Sequence, residues 1–132
     1  MNKNISLEER YRGALIGLAV GDALGTTLEF SIPGTFEPIS DMNGGGPFKL
    51  KPGEWTDDTS MALCLAESIL DTGGFDTLDQ MRRYVRWRDE GYLSATGECF
   101  DIGTATTTAL DNFLRWGEPY AGSIDPSTAG NG

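Results

Sequence analysis

The stretch Trp55-Thr56-Asp57-Asp58-Thr59-Ser60 sets two adjacent carboxylates behind a threonine. An apolar helical pattern follows directly: Met61, Ala62, Leu65 and Ile69. Thr56 is therefore placed as an N-cap, and Asp57 and Asp58 fall in the first helical turn. There the unpaired N–H groups and the positive end of the helix dipole favour negative charge. Two carboxylates and two hydroxyls on one turn also present several hard oxygens to a divalent cation. Helix capping and metal binding both account for this stretch taken alone. Asp22 lies four residues after Leu18, on or beside an apolar face. A lone buried carboxylate is costly, so Asp22 is paired, caps a neighbouring element or lies near a metal, and pairing is the favoured reading. Glu29, flanked by apolar residues at a helix exit, and Asp101, at an expected N-cap, complete the acidic positions.

Composition narrows the chemistry. The 132 residues include no histidine, which removes imidazole-based triads and zinc sites. Metal or acid–base chemistry must rest on carboxylates, hydroxyls and carbonyls, which suits Mg²⁺, Mn²⁺ or Ca²⁺. Ten Lys and Arg against twenty Asp and Glu give a net charge of −10. Such a surface repels phosphate backbones and anionic lipid, so neither nucleic acid nor membrane is expected as a partner. An anionic small molecule remains acceptable where metal ions supply local positive charge. Cys64 and Cys99 have no metal or redox spacing, and Cys64 reads as a core thiol. With no signal peptide and no apolar run long enough to span a bilayer, a cytoplasmic protein is expected.

The elements that must carry these residues read as helices. Ser6-Leu7-Glu8-Glu9 is a capping box. The helix behind it carries Tyr11, Leu15 and Leu18 on one face and runs to about Leu24, with glycine at positions 13, 17, 21 and 25. A glycine ladder lets another backbone or a ligand come close. Residues 31–54 form a long irregular loop containing Gly44-Gly45-Gly46, either flexible or a ligand-facing lid. The second helix stops at Gly73-Gly74. The third is capped by Asp76, ends at Gly91, and carries Arg82, Arg83, Arg86 and Arg88 as a solvated basic face that pairs with acidic neighbours. The fourth follows Asp101, turns Ile102, Ala105, Ala109, Leu110 and Phe113 inward, and stops at Trp116-Gly117. No strand alternation appears, so the fold class expected is all-α. The tail from Gly122 reads as disordered or as the start of a loop.

In this order the words resemble the ADP-ribosylglycohydrolase family. They are Arg12-Gly13-Ala14, Gly17 through Gly25 (Gly-Leu-Ala-Val-Gly-Asp-Ala-Leu-Gly), Glu29-Phe30, Trp55-Thr56-Asp57-Asp58-Thr59, Asp101-Ile102-Gly103 and Ser127-Thr128-Ala129-Gly130-Asn131-Gly132. The resemblance implies an orthogonal all-α bundle with two divalent cations, Mg²⁺ or Mn²⁺, in a cleft. Thr56, Asp57 and Asp58 match the family's first metal-binding segment. Glu29 matches a glutamate near the metals that serves catalysis or gates substrate entry. Asp101 matches an aspartate that positions substrate or the attacking water. Gly103, Asn131 and Gly132 fall in words associated with substrate binding. The implied reaction is hydrolysis of the distal-ribose C1 bond of ADP-ribosylated side chains or related ADP-ribose conjugates, which are the implied partners. Carboxylates suit the oxocarbenium character that develops at C1. Two divalent ions would orient the ribose diol and a water without histidine.

The sequence departs from the family pattern in one respect: it holds no second, downstream Asp-x-Asp-Thr/Ser metal segment, and the Asn-Gly word is not continued. Residues 1–132 are accordingly expected to be the N-terminal part of a single domain, whether as a truncated form, a proteolytic fragment or one chain of a split protein. Such a chain, missing its C-terminal partner segment, is expected to be inactive alone. The alternatives are a non-catalytic relative that binds ADP-ribose or a protein on the same scaffold, and an acidic helical interaction module whose carboxylates only cap helices.

Overall fold

Ser6 starts the first helix as the capping box requires. Its hydroxyl accepts the Glu9 amide at 3.2 Å, and the Glu9 carboxylate accepts the Ser6 amide at 2.8 Å. In a computed structural model that describes residues 5–128, helix α1 then spans Leu7–Gly25, α2 Asp57–Thr72, α3 Thr77–Glu90 and α4 Thr104–Trp116. No strand occurs among the described residues, only an isolated bridge between Gly45 and Leu50. The all-α expectation holds. The chain divides into two units, residues 1–59 and 60–132.

In the first unit, α1 continues through a 3-10 turn, Thr26–Leu28, that delivers Glu29. The helix therefore ends a little later than about Leu24. It is supported locally by its capping box and by a Glu8–Arg12 ion pair at i, i+4. Its apolar residues are largely uncovered: Leu7, Tyr11, Leu15, Ile16, Leu18 and Val20 are exposed, and Ala23 is its buried residue. The space beside Gly13, Gly17, Gly21 and Gly25 is open among the described residues. The close approach suggested by the glycine ladder is thus absent from this unit. Within the irregular stretch 31–54, residues 44–50 are tightly folded and Leu50 is buried.

In the second unit, Cys64 and Ser68 of α2, Trp87 of α3, and Leu110 and Phe113 of α4 are buried, together with Ala121. Trp87, which the arginine-rich pattern of α3 obscures, is among the largest fully buried side chains. Cys64 is the expected core thiol. Burial, with Glu67 second, pushes it up to about 11, so it stays protonated and unreactive at neutral pH.

Two expectations fail here. Arg83 pairs with acidic neighbours as expected, with Glu67 at 3.0 Å, Asp71 at 2.8 Å and Asp79 at 2.6 Å, but it is not on a solvated face: its side chain is 11% exposed. A planar guanidinium satisfies three carboxylates at once, which lets it sit low on the surface. Ala105 is exposed rather than inward, because the buried stripe of α4 is centred on Leu110 and Phe113.

Arg83→Lys should lower the urea midpoint by an amount equivalent to about 1 kcal/mol or more, since a point-charge ammonium cannot fan to three acceptors. An unchanged midpoint would contradict the proposed role of this cluster.

Candidate functional site

The start of α2 is built by a residue of α1. Asp22 takes the Thr56 amide on both oxygens, at 3.1 and 3.0 Å, and the Thr56 hydroxyl at 2.7 Å. It also takes the Thr59 amide at 3.1 Å and the Thr59 hydroxyl at 2.6 Å. Thr59 is the third residue of α2, so Asp22 satisfies an N–H that a helix start leaves without an intrahelical partner. Thr56 and Thr59 are both buried. Of the three readings of Asp22, capping of a neighbouring element is the one realised, and its charge is met by hydrogen bonds.

Asp57 and Asp58 lie between the two anchored threonines, Asp57 half-buried and Asp58 exposed. The Asp57 carboxyl is held above the usual carboxylate range, first by burial, then by the charge of Asp58, with Asp22 adding to it. A cation would relieve that crowding. The donors available are hard oxygens only, which fits Mg²⁺ or Mn²⁺ and not a thiophilic metal. Among the described residues, no group of three or more His, Cys, Asp or Glu side chains converges to hold a metal. Asp57 and Asp58 are the two acidic side chains that this turn presents.

Glu29 stands at the end of the 3-10 turn in the same unit, exposed, with its amide bonded to the Thr26 carbonyl at 3.2 Å. Phe30 after it adopts φ 60°, an unusual conformation for an aromatic residue.

Asp101 and Gly103 belong to the second unit. Asp101 is not the N-cap of α4: that position is Gly103, two residues on. Asp101 has φ 58°, in the left-handed region, whereas an N-cap needs the extended backbone that Gly103 supplies at φ −66°, ψ 152°. Glycine has no side chain with which to cap, so the first-turn amides of α4 lack that partner. Beside them is a cleft of about 750 Å³, lined by Thr104, Ala105, Thr108, Asn112, Gly122, Ser123, Ser127 and Thr128. Of its lining residues, Ser127 is held by Asp125, which accepts its amide at 2.9 Å and its hydroxyl at 2.8 Å. The described part of the tail is thus a structured turn. Asn131 and Gly132 lie outside the described residues.

The sequence reading named the acidic positions but not what fixes them. The signal for Asp22 was its place on an apolar face, which demanded partners without naming them.

The chain is similar to known proteins along most of its length. The ADP-ribosylglycohydrolase family profile matches residues 3–132. The chain is 56% identical over 124 residues to the ADP-ribosylarginine hydrolase Tri1 of Pseudomonas putida (strain GB-1), covering 94% of this chain and 33% of that protein. It is 34% identical over 131 residues to the ADP-ribosyl-[dinitrogen reductase] glycohydrolase of Rhodospirillum rubrum, covering 96% of this chain and 42% of that one. A solved structure titled "ADP-ribosylglycohydrolase-related protein complex" superposes with a TM-score of 0.72 at 51% identity, over 86% of this chain and 36% of its own. The chain thus spans about a third of the length of the Pseudomonas relative and less than half that of the Rhodospirillum one.

Two outcomes follow from the geometry of the α2 start. Asp22→Asn replaces one accepting oxygen by an NH₂ facing donors and should destabilise the protein by about 2 kcal/mol or more in denaturant unfolding. A loss near zero would contradict the anchoring role. Asp57 holds its proton more tightly folded than unfolded, so its stabilising contribution is present below the ordinary carboxylate pKa and lost as pH rises through the raised value. In metal-free buffer, Asp57→Asn should therefore melt above the wild type at neutral pH, with the gain vanishing near about pH 3. A mutant less stable at neutral pH would contradict the assignment.

Proposed function

This chain belongs to the ADP-ribosylglycohydrolase family, and from that premise we propose that the whole protein hydrolyses the bond between the distal ribose C1 of ADP-ribose and an acceptor side chain. The acceptor we propose is arginine, on the strength of the 56% identity to an ADP-ribosylarginine hydrolase. The observation that carries the reading is the α2 start: two crowded carboxylates on a turn locked by Asp22, within a chain that matches the family along almost its full length.

In this reading Thr56, Asp57 and Asp58 hold a divalent cation, Mg²⁺ or Mn²⁺, one of two in the complete site. Bound divalent cations supply Lewis acidity and orient the ribose and a water at neutral pH. Asp22 keeps the turn from rearranging as charge enters and leaves. The Glu29 carboxylate stabilises positive charge developing at C1 and accepts a proton from the attacking water. Asp101 positions the ribose or that water. The amides at the start of α4 receive the diphosphate, with Gly103, Asn131 and Gly132 completing the substrate contacts.

The remaining metal ligands are proposed to come from the part of the domain that relatives have and this chain does not span. The uncovered apolar residues of α1 support that reading, since an exposed apolar face of this extent calls for a partner. Among the described residues no helix is long and apolar enough to cross a membrane. The buried core thiol Cys64 fits the proposed cytoplasmic location.

Calorimetric titration of the whole protein with Mn²⁺ should give binding that Asp57→Ala/Asp58→Ala abolishes, with turnover on ADP-ribosylarginine falling by about a hundredfold or more. Intact binding in the double variant would remove the metal role; intact binding of ADP-ribose with no turnover by the wild type would favour a non-catalytic relative. Residues 1–132 produced alone should show no turnover, and robust hydrolysis by them would overturn the requirement for further ligands.

A further inference from the structure

We propose that Gly46 is a positioning residue for Glu29. The turn it opens holds in place the carbonyl that anchors the Glu29 backbone. The functional consequence rests on the reading of Glu29 as a catalytic carboxylate; the structural claim rests on geometry.

Residues 44–50 close on themselves. The Gly45 amide donates to the Leu50 carbonyl at 2.7 Å, the Leu50 amide to the Gly45 carbonyl at 3.0 Å, and the Lys49 amide to the Gly46 carbonyl at 3.2 Å. Residues 46–49 are thus a four-residue turn with Pro47 in its second position, where a fixed φ suits it. From this turn, contacts reach both sides of Glu29. On one side, a Cβ added to Gly46 would lie 2.5 Å from the Thr26 carbonyl oxygen and 3.3 Å from Cα and carbonyl oxygen of Thr27. The Thr26 carbonyl is the acceptor for the Glu29 amide. On the other side, the Phe48 ring meets Phe30 edge-to-face, with centroids 6.3 Å apart. The Thr26 and Thr27 hydroxyls are buried without hydrogen-bond partners among the described residues. The 3-10 turn thus has its backbone hydrogen bonds and the packing of the 46–49 turn, with no help from these hydroxyls.

Gly46 is needed twice over, for its φ of +66° and for its missing Cβ. Its neighbour supplies a control: Gly45 has φ +87° with open space around it, so Gly45→Ala introduces backbone strain without the contact.

The test measures amide hydrogen exchange and steady-state turnover on ADP-ribosylarginine in the whole protein. Gly46→Ala should lose protection at the amides of Glu29 and Ser31, and lower kcat about tenfold or more with KM changed by less than about twofold. Gly45→Ala, which strains the turn without pressing on Thr26, should cause a clearly smaller loss in both readouts. In a Glu29→Gln background, Gly46→Ala should have no further effect on kcat, because the two changes act through one group. Wild-type exchange at Glu29 in Gly46→Ala would overturn the proposal, as would an equal loss of kcat in both backgrounds. Full turnover by Glu29→Gln alone would instead overturn the catalytic reading of Glu29, and the exchange data would still decide the role of Gly46. Should Gly46→Ala fail to fold, Phe48→Ala removes the second contact without backbone strain. It should lower kcat in the same direction, again without effect in the Glu29→Gln background, and an unchanged kcat and unchanged Glu29 exchange would overturn the proposal.

Discussion

A carboxylate on one helix caps the start of the next. Asp22 gathers the amides and hydroxyls of Thr56 and Thr59 onto two oxygens, and hydrogen bonds to a charged acceptor are worth about 1.5–3 kcal/mol each. That stabilisation allows Asp57 and Asp58 to sit side by side on the turn between them, although the arrangement pushes Asp57 toward its protonated form. Asp22 holds the turn, although its own charge adds to the crowding at Asp57. A site for a cation needs such an anchor, because ligands that can relax away from each other gain less from the ion that neutralises them.

Each carboxylate assigned to the chemistry stands where a helix begins or ends. Asp57 and Asp58 open α2, Glu29 closes the 3-10 turn after α1, and Asp101 precedes the start of α4 in a left-handed conformation. Helix ends provide unpaired backbone groups and a defined exit direction, so a side chain there is fixed by backbone geometry. The second unit adds a different kind of rigidity: Trp87 and Arg83 hold α3 through burial and through three ion pairs.

Much of this was legible in the sequence because local rules sufficed. The Ser6 capping box, the Asp76 cap of α3 and the glycine stops at positions 73, 91 and 117 depend on residues within four positions of each other. Thr56-Asp57-Asp58 could be recognised as a helix start for the same reason. What remained hidden depends on contacts distant in sequence: Asp22 reaching Thr56, and Gly46 against Thr26. For Arg83 the acidic partners were legible but the burial was not, because an arginine-rich helix face looks solvated until acidic residues of α2 close over it. Asp101 misled because Asp is a good cap by type, while Gly103 had the required backbone. The uncovered face of α1 shows the same limit from the other side: its apolar pattern announces burial without naming what buries it.

The central claim is that the turn anchored by Asp22 holds a divalent cation through Asp57 and Asp58. Anomalous diffraction from crystals of the whole protein grown with Mn²⁺ tests it most directly. The account predicts a manganese peak at coordination distance from the carboxylates of Asp57 and Asp58 that disappears in Asp57→Ala/Asp58→Ala. Manganese bound elsewhere in the protein, with none at this turn, would contradict it.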